Sequence, residues 1–124
     1  MVRFHYTAVA ADGATVKDDI DAISANPHVE LVAVCDELLD RARAAGEKAE
    51  VPFFTSYVEM LASVPADVAA ICTPSGLHPK QGILAAERKL HVICEKPMAT
   101  RLEEADALVR ACDDAGVHLF VVKQ

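Results

Sequence analysis

No apolar run in this 124-residue sequence approaches the ~20 residues that a helix needs to cross a bilayer. A membrane-spanning helix is therefore excluded. The opening stretch MVRFHYTAVAADG lacks the separable basic region, apolar core and cleavage site of a secretory leader, so a cytoplasmic location is expected. Positive charge is also in short supply, with 12 Lys and Arg against 19 Asp and Glu. Nucleic acid and anionic membranes both require a basic face to offset phosphate repulsion. Neither is expected as a partner, and small molecules are. Zinc-type cysteine spacing is absent. Cys35, Cys72, Cys94 and Cys112 are far apart, and the first three sit at the ends of apolar runs, where a small reduced thiol packs well. No metal site is expected.

What the chain does have is length and apolar content for one domain with one core: 52% apolar and 25% charged residues, ordinary for a globular fold. Four short runs are almost wholly apolar: Leu31 to Cys35, Val68 to Cys72, His91 to Cys94 and Leu119 to Val122. None alternates with polar residues, which predicts strands covered on both faces, as in a parallel sheet flanked by helices. Weaker strands are predicted at Val2 to Val9 and Pro52 to Phe54. Helical stripes fall between them, at Val16, Ile20 and Ile23 and at Leu102, Ala105, Leu108, Val109 and Cys112. Capping boxes at Ser56 with Glu59 and at Thr100 with Glu103 mark two helix starts, and Gly116 marks a helix end. Repeated strand-helix-strand order gives an α/β fold, a doubly wound parallel sheet forming a single domain over residues 1–124.

In such a sheet ligands bind in the crevice at the carboxyl ends of the strands, so the residues just after each run are the candidates for chemistry. Asp36 follows LVAVC directly. An acidic side chain there can accept the hydroxyl hydrogens of an adenosine ribose and repels a 2′-phosphate. Equally, it can cap a helix beginning at Glu37. Thr73-Pro74-Ser75-Gly76-Leu77-His78-Pro79 is a shaped loop entering a helix. Its amides and hydroxyls can hold a nicotinamide or a phosphate, or form an ordinary strand-to-helix turn. His78 alone reads equally as a solvated or capping side chain. In Glu95-Lys96-Pro97, a lysine beside a carboxylate at a crevice mouth can orient a hydroxyl during hydride transfer, or be a plain surface lysine.

Taken together with their spacing, Asp36, ThrProSerGlyLeuHis at 73–78 and GluLysPro at 95–97 resemble the glucose–fructose oxidoreductase, inositol dehydrogenase and rhizopine-catabolism (Gfo/Idh/MocA) family, over about Ile20 to Gln124. The resemblance implies a Rossmann domain that binds NAD, with NADP less favoured. It assigns Thr73, Pro74, Ser75 and His78 to the nicotinamide side, together with Glu95, Lys96 and Pro97, and it places Lys96 near the reacting carbon as the catalytic candidate. Asp36 matches the acidic ribose contact. CysGluLysProMetAlaThr at 94–100 and LeuPheValValLysGln at 119–124 look most like enzymes oxidising the 3-hydroxyl of UDP-N-acetylglucosaminuronic acid for surface polysaccharide synthesis.

The sequence departs from the family pattern in two places. Where Gly-x-Gly-x-x-Gly lets the backbone approach a pyrophosphate, residues 8–14 read AlaValAlaAlaAspGlyAla. Gly13 is the one glycine left for that contact, and Asp12 adds negative charge, so weak or absent cofactor binding is expected. Family members also continue into an α+β domain carrying the acid/base histidine, much of the sugar site and usually the oligomer interface. The resemblance therefore implies a dinucleotide-binding half that is inactive alone, takes its sugar or sugar-nucleotide substrate only with that second domain, and exposes apolar surface through which it can self-associate. A nucleotide-binding or structural module with a vestigial site is the alternative.

Overall fold

The computed structural model describes residues 1–8 and 20–123. Six strands form one sheet: β1 Val2–Ala8, β2 Val29–Cys35, β3 Phe53–Phe54, β4 Val68–Cys72, β5 His91–Cys94 and β6 Leu119–Val121. Their order is β3-β2-β1-β4-β5-β6, and every pairing is parallel. Helical residues 20–25 form α1, followed by α2 Leu39–Ala49, α3 Tyr57–Ser63, α4 His78–Glu87 and α5 Leu102–Ala115. The predicted doubly wound sheet is thus present, with its order reversing between β1 and β4.

The two faces bury separate cores. On one, Ile20 and Ile23 of α1 and Ala45 and Ala49 of α2 pack with Tyr6, Leu31, Val34 and Ala70. On the other, α3, α4 and α5 supply Tyr57, Met60, Ala85, Leu108 and Cys112 against Ala33, Ala69, Ile71, Val92 and Cys94. Leu31 and Val34 share a face despite their odd spacing, because the register slips by one residue between Phe4 and His5 of β1 and the bulge turns β2 over. The cysteines are free thiols, with Cys35, Cys94 and Cys112 buried and Cys72 half-buried. Among the described residues, no helix is long and apolar enough to cross a membrane.

Four expectations need correction. The unbroken run Leu119 to Val122 predicts a strand covered on both faces, yet Phe120 is 56% and Val121 42% exposed, because β6 is an edge strand paired only with β5. In α5 the predicted stripe is narrower: Leu108 and Cys112 are buried, while Leu102 and Val109 are exposed, so the packed face follows Leu108 and Cys112, flanked by Ala111 and Ala115. The Thr100 capping box does not form. Arg101 is the extended cap residue, with no side-chain cap bond, and it pairs with Glu103 at 3.3 Å, which leaves Thr100 one position too early. Finally, the helix after Asp36 begins at Leu39 rather than Glu37. By contrast, Ser56 does accept the Glu59 amide at 3.3 Å. Gly116 ends α5 at φ +72°, where a β-carbon would be disfavoured.

Candidate functional site

The strand ends align because the pairing register aligns them. Phe54, Cys35, Thr7, Ile71, Cys94 and Val121 stand opposite one another in a single row across the sheet. Asp36 and Glu95 therefore leave the sheet one step beyond that row, and Thr73 two steps beyond Ile71. At ~4.8 Å per strand, β2 lies roughly 10 Å from β4 and roughly 14 Å from β5. The candidate residues accordingly line one carboxyl edge astride the point where strand order reverses, and they suit a ligand with two separated ends. Residues 9–19, with Gly13 and Asp12, lie outside the described residues.

At the β2 end, Asp36 is buried. Its amide donates to the Phe54 carbonyl at 3.1 Å, and its Oδ1 accepts the Leu38 amide at 2.9 Å. That contact is a local turn two residues long, and it sits before the helix rather than capping it. Burial raises the carboxyl pKa above the ordinary range. The Leu38 amide and the Arg41 charge pull it back down, and Glu37 adds to the rise. Just beneath, burial pushes the Cys35 thiol up to about 11, so it stays protonated and inert.

The β4 end is a built loop. Thr73 is buried, and its hydroxyl donates to the Gln81 side-chain carbonyl at 2.6 Å. Tyr57 of α3 donates to the Gln81 backbone carbonyl at 2.9 Å. Pro74 is exposed and Ser75 half-buried, and Ser75–Leu77 forms one 3₁₀ turn, closed by the Leu77 amide on the Pro74 carbonyl at 2.9 Å. His78 opens α4 and is buried. Its Nδ1 lies 2.9 Å from the Pro97 carbonyl, and its Nε2 faces the Thr73 carbonyl.

At the β5 end the Glu95 amide donates to the Ile71 carbonyl at 3.0 Å, and the Glu95 carboxylate accepts the Lys96 amide at 3.0 Å. The Lys96–Pro97 peptide is cis. Lys96 and Pro97 are exposed at the rim. The structure thus joins Thr73, His78 and Pro97 directly, sets Lys96 beside them, and keeps Asp36 apart across β1. Sequence reasoning missed Gln81 and Tyr57. Gln81 falls eight residues after Thr73, and its role depends on α4 folding back beside β4, for which no local pattern exists.

Comparison with known proteins agrees with this fold. The family model described as an oxidoreductase family with an NAD-binding Rossmann fold matches residues 8–123. A D-xylose 1-dehydrogenase (NADP(+)) of Haloferax volcanii is 38% identical over 109 residues, 87% of this chain and 33% of that protein. The WlbA dehydrogenase of Bordetella pertussis, solved with NADH and UDP-GlcNAcA, superposes with a TM-score of 0.87 at 41% identity, covering 98% of this chain and 34% of that one. Its counterpart from Chromobacterium violaceum, also solved with NADH and UDP-GlcNAcA, gives 0.89 at 38% identity, covering 99% and 35%. The chain spans about a third of the length of the relatives it matches.

Proposed function

The chain belongs to the Gfo/Idh/MocA oxidoreductases as their NAD-binding Rossmann domain, and from that premise we propose that it serves hydride transfer between a sugar hydroxyl and NAD. The substrate we favour is a UDP-N-acetylglucosaminuronate oxidised at C3, a reading supported by the two WlbA neighbours. The observation that carries the proposal is the row of strand ends that puts Asp36, the Thr73 to His78 turn and Lys96 on one edge astride the switch point.

The described residues fit the two ends of a dinucleotide. Asp36 offers a buried carboxylate whose second oxygen can accept ribose hydroxyls while Oδ1 keeps the Leu38 amide. Thr73, Pro74, Ser75, Glu95 and Pro97 form the wall on the nicotinamide side, backed by Gln81 and Tyr57. When bound, the nicotinamide supplies the hydride acceptor. Lys96 donates a hydrogen bond to the substrate oxygen, orients it, and steadies the negative charge that grows there as its proton leaves. Glu95 fixes the Lys96 backbone through the amide contact. A histidine of the family's second domain is the expected proton acceptor.

Calorimetric titration of the chain with NAD and NADP tests the binding half of this reading. Saturable heat, stronger for NAD, is expected. No heat for either nucleotide would leave only a structural module. For the catalytic half, Lys96→Ala is made in a chain joined to a family C-terminal domain and carrying a restored Gly-x-Gly loop. A fall in kcat with little change in NAD affinity supports the assignment, and unchanged turnover of the UDP-uronic acid refutes it.

A further inference from the structure

A buried histidine at the mouth of a polar crevice is a natural candidate for contact with ligand, but the ring of His78 is already engaged. Only 1% of the residue is exposed. Its two nitrogens face two backbone carbonyls from different parts of the rim: Nδ1 is 2.9 Å from Pro97 O and Nε2 is opposite Thr73 O. Those carbonyls flank the two segments that matter for chemistry. Thr73 begins the turn after β4, and Pro97 is joined directly to Lys96. A nitrogen that carries its proton donates to the carbonyl it faces, so the ring can hold either segment or, doubly protonated, both. The backbone of His78 adds a third link, its amide donating to Ser75 O.

We infer that His78 is a positioning residue: its ring ties the Thr73–Leu77 turn to the Lys96–Pro97 segment, so that the nicotinamide wall and the rim lysine are set as one unit. It acts through those segments and touches neither cofactor nor substrate. Burial of the ring is offset by the hydrogen bond that its N–H gives to the carbonyl it faces. An apolar side chain of similar volume would fill the space and remove the ring donor from the Thr73 and Pro97 carbonyls. The consequence for binding rests on the NAD reading above, whereas the tie itself does not.

Three variants separate a tie from simple filling. His78→Phe keeps a ring and loses its N–H donor. His78→Asn retains an amide donor near the position of Nδ1, and His78→Gln retains one near Nε2. Amide hydrogen exchange is followed at Ser75, Gly76 and Leu77, and at Lys96 and Met98. His78→Phe is expected to speed exchange in both groups while β4 and β5 keep their protection. Asn, which keeps the donor toward Pro97 O, should spare Lys96 and Met98, and Gln, which keeps the donor toward Thr73 O, should spare the turn. If the competent arrangement falls to about a tenth, NAD affinity falls about tenfold in His78→Phe. Wild-type exchange in both segments in all three variants, or uniform loosening of the whole sheet, overturns the tie. Should His78→Phe fail to fold, the opposite patterns of Asn and Gln decide the matter. If the unaltered chain binds no NAD, the functional reading fails, and the exchange data still judge the tie.

Discussion

Replacing Asp36 by asparagine separates its two duties. Asparagine keeps an oxygen for the Leu38 amide, now 2.9 Å from Oδ1, so the turn before α2 should survive with little loss of stability. What disappears is the negative charge that accepts ribose hydroxyls. A hydrogen bond to a charged group contributes about 1.5–3 kcal/mol, so NAD affinity should fall roughly ten- to a hundredfold at ~1.4 kcal/mol per decade. NADP should move the other way, because the carboxylate no longer repels the 2′-phosphate. Titration calorimetry of both proteins with both nucleotides at fixed salt reads the change, and thermal unfolding checks that the fold is intact. A pH series adds an independent arm. Binding needs the ionised carboxylate and burial has raised its pKa. Wild-type affinity should therefore weaken on acidification, starting at a higher pH than an ordinary aspartate would give, and the asparagine variant should lack that loss. Equal NAD affinity in the two proteins would refute the ribose assignment.

Further expectations concern the framework. His5 on β1 is buried, with no hydrogen-bond partner for either ring nitrogen among the described residues. Burial lowers its pKa, and the nearby backbone of Val64 offsets part of that. Because the unfolded chain binds the proton more readily, stability should be full above pH ~6.5 and fall as pH drops below it, by at most about 1.4 kcal/mol per pH unit. His5→Leu should flatten that decline in urea titrations at pH 7.5 and pH 5.5, and an unchanged slope would contradict the assignment. A β-carbon on Gly46 would lie 2.8 Å from Phe53 Cβ and 2.9 Å from the Val51 carbonyl. Both neighbours are stiff, so Gly46→Ala should destabilise the chain by about 1–3 kcal/mol despite the better helix propensity of alanine. A raised melting temperature would show that α2 can shift away from β3.

The sheet was legible because a parallel strand buried on both faces leaves an unbroken apolar run. Val68–Cys72 and His91–Cys94 were bounded correctly on that ground alone. Leu119–Val121 has the same composition but occupies an edge, and nothing local distinguishes an edge strand from a central one. Capping was half legible: Ser56 bonds as its spacing predicts, whereas at Thr100 the helix starts later and Arg101 takes the cap position. At the rim, the loops singled out from the sequence do meet along one edge of the sheet, but their internal wiring was not legible. Whether His78 faces ligand, solvent or backbone depends on a segment 19 residues away closing over it. Gln81 holds Thr73 only because α4 returns along β4.

Chemical-shift mapping of backbone amides during NAD titration is the most direct test of where the nucleotide lies. The account predicts that shifts concentrate at Glu37 and Leu38, at Ser75 to Leu77 and at Glu95, Lys96 and Met98, with Arg3, Asp67, His91 and His118 at the opposite edge unmoved. Shifts confined to that opposite edge, or spread over the outer surfaces of the helices, would contradict it.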